Sequence, residues 1–438
     1  MSRTKFTCLS LVVLLASIQG RVFAWGSTWM GAGLEAMVSA ARWKAGPFRY
    51  TGAFQLGNAG YDSDIYFGTL ANPIPDYTFT AGPDIQILLP LEKKIVFAIS
   101  ESPRYVFFLD TRRERTLNNS FTGQAHFIFD RFYIQAGAAL TNAKQRLSTE
   151  LNINVRLKED SINGLALWQV SEGTSLALQY QRSVFRYENT TSGTANISEN
   201  LNRTENYIDV MAFLQHQAKT RFYLDAQYGS YAFMEKISSY KDSRSYSVYG
   251  GVEFVPPAAE YASQTAGIRG RINIGYQLFH VLDPLQNDYS GLSGNTDVSW
   301  EIIKLTSLHL FFSIGPQFSV YSGVTYYLQT LYGAGLARSL SRKIMLSYDF
   351  SYSRNKYPAG EIAGGSSSGV PADRYMTHAL NLNFQLQRDL GLSLMANLGS
   401  RNSRFAPRTD SRRYFIGFSL TYGYSPGGLA MPSGPVSR

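Results

Sequence analysis

Alternation with a period of two residues, held over stretches much longer than an ordinary strand, constrains this chain more than any other feature. Near its end Tyr414, Ile416, Phe418, Leu420, Tyr422 and Tyr424 alternate with Phe415, Gly417, Ser419, Thr421, Gly423 and Ser425. Leu380, Leu382, Phe384 and Leu386 alternate with Asn381, Asn383 and Gln385. Ile344, Leu346, Tyr348, Phe350 and Tyr352 alternate with Met345, Ser347, Asp349 and Ser351. Such a pattern puts a greasy face and a small or polar face on one strand. A soluble sheet with one wet face shows the same alternation, but its strands run about 5–6 residues. A tilted strand that crosses a bilayer needs about 9–11. Here the alternating stretches are of the longer kind, and Tyr and Phe gather near the ends of the apolar face, as an aromatic girdle requires. Outside the first 24 residues no apolar run approaches the roughly 20 residues of a membrane helix, so a helical membrane bundle is excluded.

Read in this way, the strands cover 47–57, 76–90, 94–109, 119–129, 131–142, 161–170, 174–187, 204–216, 220–234, 244–255, 264–280, 295–304, 307–321, 323–339, 342–356, 374–387, 389–404 and 412–424. The fold class expected is all-β: a transmembrane antiparallel up-and-down β-barrel of about eighteen strands. Closure has a simple cause. Hydrocarbon offers no partner to an unpaired N–H or C=O, so a sheet in a membrane must have no edge. Connections alternate between short and long. Short turns are expected at Glu92-Lys93, Asp130-Arg131, Glu172-Gly173, Ala218-Lys219, Ser341-Arg342 and Arg388-Asp389, and long polar loops at Tyr187–Asn202, Asp283–Asn295 and Asn355–Asp373. An even count puts both termini on one side, with the long loops after odd-numbered strands. Ser322-Gly323 departs from this, reading as a tight turn where a long loop is due.

Residues 1–24 read as a secretory signal peptide: Arg3 and Lys5, a short apolar stretch Phe6–Ile18, and the small-x-small ending Val22-Phe23-Ala24. Cys8, the only cysteine, lies in that stretch. A mature chain that starts at Trp25 has no thiol chemistry, no disulfide and no thioether-linked haem, and its net charge falls from +9 to +6 with Arg3, Lys5 and Arg21 gone. Residues 25–46 read as a loosely ordered periplasmic lead-in, in which Leu34, Met37, Val38, Ala41 and Trp43 also allow a short amphipathic helix or a fragment of strand. The barrel takes residues 47–424. The Pro- and Gly-rich segment 425–438 reads as a flexible periplasmic tail.

No catalytic constellation emerges, and the chain reads as non-enzymatic. His126, His216, His280, His309 and His378 share no metal-binding spacing, no C-x-x-C-H is present, and no cofactor or metal is expected. Gly57-Asn58-Ala59-Gly60 lacks the Gly-Lys-Ser/Thr of a phosphate loop. The functional signal is charge on the inward face. Candidate lumen-lining bases are Arg49, Arg104, Arg269, Arg271, Lys343 and Arg401; candidate acids are Asp84, Asp225, Glu253, Asp297, Glu301 and Asp349. Rings of fixed charge select what a pore passes, and a basic excess favours anionic solutes. The mixed signs fit mutual pairing across the lumen better. Tyr133, Tyr223, Tyr249 and Tyr327 offer either stacking surfaces for sugar rings or packing.

Gly60-Tyr61-Asp62-Ser63-Asp64-Ile65-Tyr66, then Asp76-Tyr77-Thr78-Phe79-Thr80-Ala81-Gly82-Pro83 and Ile87-Leu88-Leu89-Pro90-Leu91, resemble the start of the second putative β-barrel porin family, itself similar to barrels encoded with exopolysaccharide export systems. Asp64 stands where that family more often has Asn. The specific match covers about 35 residues, and the family has no catalytic residues to carry over. The resemblance implies a Gram-negative outer-membrane barrel, with outer-membrane lipid and the barrel assembly machinery as partners. It also implies passive conduction of a solute or of an exported polymer such as an anionic polysaccharide, with export-system proteins as neighbours. The competing reading is a structural sheath around a partner such as a multihaem cytochrome. Nothing points to nucleic acid.

Overall fold

The computed structural model describes residues 34–35, 37–39, 41–68, 70–92, 94–146, 148, 150–192, 195–217, 220–254, 267–358, 372–403 and 410–423. The expected signal peptide and C-terminal tail lie outside the described residues, as does the lead-in before Leu34.

The chain closes into an antiparallel barrel of eighteen strands. In order these are β1 (Phe48–Asp62), β2 (Asp76–Leu91), β3 in two segments (Ile95–Glu101 and Arg104–Phe108), β4 (Thr116–Ile128), β5 (Phe132–Gln145), β6 (Val155–Ser171), β7 (Thr174–Tyr187), β8 (Arg203–Gln217) and β9 (Thr220–Phe233). Then follow β10 (Ser243–Phe254), β11 (Ile268–Val281), β12 (Tyr289–Ile303), β13 (Thr306–Phe318), β14 (Tyr326–Ser341), β15 (Ile344–Lys356), β16 (Ala372–Gln387), β17 (Leu390–Ser403) and β18 (Ser411–Gly423). Each pairs with its sequence neighbours, and β18 returns to pair with β1, for example Leu420 with Leu56 and Ile416 with Tyr61. Each expected strand corresponds to one observed strand.

The alternation sorts the side chains as the sequence implies. On β11 the even-numbered Ile274, Tyr276 and Leu278 are exposed on the outer face, while Asn273 and Phe279 are buried inside. On β7 Leu176, Leu178 and Tyr180 point out; Ala177, Gln179, Gln181 and Ser183 point in. Exposed apolar side chains of this number would be an aggregation hazard in water. Around a closed barrel they form the surface that lipid solvates.

Several boundaries differ from expectation: β6 starts at Val155 and β12 at Tyr289, each six residues early, so the long loop expected at Asp283–Asn295 is shorter, and three further differences shape the barrel. First, β1 continues through Asp62 because an irregularity between Gly57 and Gly60 shifts its register. Asn58 there takes a positive φ of 49°, and a Cβ on Gly60 would collide with the Ile416 carbonyl oxygen. Second, β13 stops at Phe318 and β14 starts at Tyr326, so the tight turn expected at Ser322-Gly323 is a seven-residue loop. Third, β11 starts at Ile268, four residues later than expected.

The two ends of the chain meet at the β1–β18 seam, and the residues of the family resemblance hold it. Arg413 donates to both carboxylate oxygens of Asp62, at 2.8 and 3.0 Å from Nε. The Ser63 amide donates to the Tyr414 carbonyl at 2.9 Å, and the Tyr414 amide donates to the Ser63 hydroxyl at 2.8 Å. Asp76 accepts from the amides of Leu109, Asp110 and Thr111 at 2.9, 3.0 and 2.7 Å, which fixes the β3–β4 loop.

A charge placed on the outer face at mid-height should be costly in a bilayer, and one on the inner face should not. Ile274→Lys is expected to destabilise the barrel by about 2–4 kcal/mol in lipid vesicles. Gln277→Lys, on the inner face of the same strand, should cost well under half of that. Urea unfolding of the two variants in vesicles measures the difference.

Candidate functional site

The site is the barrel interior, and the chain itself occupies both ends of it. At the long-loop end several loops bend inward. The β5–β6 loop carries Glu150, whose side chain is buried with its neighbour Leu151. Glu150 Oε1 accepts from the Ser319 hydroxyl at 2.8 Å and from the Tyr357 hydroxyl at 2.8 Å; Oε2 accepts from the Val320 amide at 2.8 Å. Ser319 and Val320 belong to the β13–β14 loop, which starts nearly opposite on the ring. The contact therefore crosses the lumen.

A second ionic side chain grips the same loop. Lys241, fully buried at the end of the short helical turn Lys236–Lys241 between β9 and β10, donates to the Ser319 carbonyl at 2.8 Å. It also donates to the carbonyls of Asn200 at 3.3 Å and Tyr321 at 3.4 Å. Apolar packing completes the junction: Leu151, Val155, Leu157, Phe185, Ile197, Leu201 and Val320 form one buried cluster. Ile197 and Leu201 come from a one-turn helix, Ile197–Leu201, whose Asn196 cap accepts from the Glu199 amide. From the β1–β2 loop, Phe67 is fully buried between Leu331 and Tyr375, with the Arg146 guanidinium 4.8 Å from its ring centroid.

Burial raises the Glu150 carboxyl from 4.5 to about 7, against the opposing effect of its three donors. Burial lowers the Lys241 ammonium from 10.5 to about 7. Both shifts express the cost of holding a charge away from water.

The short-turn end is occupied by the lead-in. Its helical residues 34–35 and 37–39 lie inside the barrel. Leu34 is buried against Val96, Tyr133, Leu165, Leu167, Ala177, Met211, Phe213 and Tyr223, with Val38 packed beside it. These wall residues all stand near the short-turn ends of β3 and β5 to β9, where an inward apolar patch would otherwise meet water. The lead-in then turns through the short strand Trp43–Ala45, which pairs with the start of β1.

The inward charges expected from the sequence are brought together mainly as ion pairs. Arg104 bonds Asp84, and the same arginine reaches the Gly82 and Pro83 carbonyls at 2.6 and 3.0 Å. Arg221 meets Glu253 at 2.6 Å and Arg401 meets Asp373 at 2.8 Å. Arg271 lies 3.9 Å from Asp225 and stacks its guanidinium 4.0 Å over Tyr223. His309 faces Asp297 at 3.1 Å. Asp349 stands on the inner face near His309. Four expected residues are more peripheral. Arg49 donates to the nearby Gly46 and Phe48 carbonyls. Arg269 is exposed at the start of β11, opposite Ser299. Glu301 accepts from the Leu305 amide at 3.2 Å. Lys343 is not on a strand at all; it sits exposed in the β14–β15 turn, because β15 starts only at Ile344.

The tyrosines serve as packing and hydrogen-bonding groups: Tyr133 contacts His126 at 2.7 Å and Tyr249 contacts Ser293 at 3.1 Å. Arg203 and Glu205, joined at 2.6 Å on β8, and the Asp62–Arg413 pair were not singled out from the sequence. The parity of their positions was the available signal. Glu150 and Lys241 gave none, since both lie in loops that read simply as polar.

A family model described as Putative beta-barrel porin 2 matches residues 169–422. No curated protein matches the chain in sequence. Among solved structures, the outer membrane protein opdK from Pseudomonas aeruginosa aligns with 9% identity, 86% of this chain, 98% of that chain and a TM-score of 0.48. OpdL from Pseudomonas aeruginosa aligns with 10% identity, 86% and 98% coverage and a TM-score of 0.45. The siderophore receptor PirA from Acinetobacter baumannii gives 8% identity, 86% and 80% coverage and a TM-score of 0.44.

The Glu150–Lys241 junction makes stability depend on pH. Glu150 binds its proton more tightly in the packed loop than in an open one. Its contribution is therefore full below pH 4.5 and is lost as pH rises through about 7. Lys241 does the reverse: its contribution is full above pH 10.5 and is lost as pH falls through about 7. Glu150→Gln should flatten the acid-side slope of thermal stability, and Lys241→Met the alkaline one. Melting midpoints of the purified barrel across pH read out both.

Proposed function

The chain belongs to the putative beta-barrel porin 2 family, and from that premise we propose that it is an outer-membrane channel for the passive passage of small polar solutes, narrowed by its own loops and lead-in. It works by conduction, not by catalysis. The observation that carries this reading is the contact of Glu150 with Ser319, Val320 and Tyr357 across the lumen. A bore crossed in this way suits a small solute. A folded cytochrome or a polysaccharide chain would first have to displace the junction, which weighs against both the sheath and the polymer conduit.

Charge selectivity should be weak. Six arginines of the inner face stand beside carboxylates, and Glu159 and Asp349 add further acid there, while Arg146 meets the Leu151 carbonyl and the Phe67 ring. The basic excess of the chain lies elsewhere. Lys158, Arg182, Arg186, Lys356, Arg374 and Arg412 are exposed on the outer face near the long-loop end. Net charge therefore gives no ground for anion preference inside, since a fixed charge acts on a permeating ion over about a Debye length, roughly 8–10 Å.

Planar-bilayer recording tests the proposal. The purified barrel should carry ionic current with a reversal potential near zero in a salt gradient. Leu34→Asp combined with Val38→Asp should free the lead-in from its apolar patch and raise the single-channel conductance severalfold. Strong anion selectivity would contradict the paired lumen. Absence of current from this variant, with the 319–325 loop shortened as well, would contradict a channel.

A further inference from the structure

The outer face of the barrel carries three places where two cations stand directly opposite each other on neighbouring strands: Lys144 with Arg156, Lys158 with Arg186, and Arg354 with Arg374. Like charges in this position repel and destabilise a sheet. Two of the three are compensated from within the chain. Lys144 has Glu114 at 3.1 Å, and Arg186 has Asp160 at 2.6 Å. The Arg354–Arg374 pair has no acid among the described residues. Asp373, its neighbour in sequence, faces inward and is bound to Arg401 at 2.8 Å. The Arg354 Nε is buried without a hydrogen-bond partner. Lys356, two residues further along the same face, adds a third positive charge.

The surroundings of the pair indicate what neutralises it. Thr330 of β14 is opposite Arg354, and Asn402 of β17 is opposite Arg374. Thr330, Arg354, Arg374 and Asn402 thus form one row of hydrogen-bond donors at a single height across four strands, about 14 Å wide at the usual strand spacing. Immediately below, toward mid-barrel, Tyr332 and Tyr352 pack with ring centroids 5.1 Å apart. The Tyr348 hydroxyl meets His378 at 2.7 Å one step lower. Exposed tyrosines at this level mark the boundary between hydrocarbon and headgroups. The arginines stand two residues past Tyr352, about 6–7 Å further out, at the depth of headgroup phosphates.

We infer that the Thr330–Arg354–Arg374–Asn402 row is a binding site for a phosphate group of an outer-leaflet glycolipid. Guanidinium groups match phosphate geometry with paired, charge-assisted bonds. A phosphate between Arg354 and Arg374 turns their repulsion into attraction. The lipid source is favoured over free phosphate because the row faces outward, directly above an aromatic and apolar surface that the acyl chains cover. The inference rests on the outer-membrane placement and is independent of what the lumen passes.

The test is titration of the detergent-purified full-length barrel with bis-phosphorylated lipid A, with enzymatically dephosphorylated lipid A and with inorganic phosphate, followed by native mass spectrometry. The phosphorylated lipid should bind at least about tenfold more tightly than the dephosphorylated one, as expected of even one retained charge-assisted contact. Arg354→Gln with Arg374→Gln should abolish that preference. Lys158→Gln with Arg182→Gln should leave it intact. Because the cations repel when no lipid is present, Arg374→Gln alone should also raise the melting midpoint in lipid-free detergent at low salt. This readout needs only a folded single variant. Equal binding of the two lipids, a preference unaffected by the double substitution, or inorganic phosphate binding as tightly as the lipid would each overturn the assignment.

Discussion

Backbone hydrogen bonding in a medium that cannot supply partners is the constraint on which the rest of this structure depends. A strand in hydrocarbon must pair on both edges, so the last strand must find the first. Here it does so between β18 and β1, and the seam is reinforced at its loop end by the Asp62–Arg413 ion pair and the reciprocal Ser63–Tyr414 bonds. Closure in turn creates an inner face, and everything functional follows from how that face is filled. Arginines paired to carboxylates, packed tyrosines, inward loops and the lead-in share the work.

The filling has an energetic logic. A charge withdrawn from water is costly unless it is paired and hydrogen-bonded. Each buried ionic group of the outer junction has such partners: Glu150 accepts three bonds, and Lys241 reaches three carbonyls. Losing one partner of such a group costs about 1–3 kcal/mol or more. The junction is therefore specific in geometry while resting near neutral pH between protonation states. At the other end the attraction is of a different kind: Leu34 covers an apolar wall patch and gains only the non-directional benefit of burial. A directional latch on one side and a greasy plug on the other differ in how readily they yield.

Much of the fold was legible because one rule wrote it. A residue that faces lipid is apolar and its neighbour is not, so the strands of β11, β15 and β18 can be read directly. Legibility failed where inward residues are also apolar. Val155 and Leu157 point in, with Arg156 and Lys158 outside, so the start of β6 inverts the pattern and hides the strand before residue 161. Phe318 and Val320 continued the apparent alternation of β13 but fold into the lumen, which disguised a crossing loop as a tight turn. The candidate site was half visible. Parity placed Arg104, Arg271, Arg401, Asp225 and Glu253 on the inner face, and the mixed signs pointed to pairing. The loop residues Glu150 and Lys241 were invisible, because what makes them special is tertiary burial. Net charge carries no such information: composition counts Arg354 and Arg374 without saying on which face they stand.

The central claim is that the sheet has no edge. Amide hydrogen exchange on the barrel reconstituted in lipid vesicles tests it at the one place where an open sheet would differ, the β1–β18 seam. A closed barrel protects the seam amides of Leu56, Tyr61, Ile416 and Leu420 as strongly as amides at mid-height in β8 and β9. If the seam amides instead exchange like those of a free edge while β8 and β9 stay protected, the tube is open and the account of its interior fails with it.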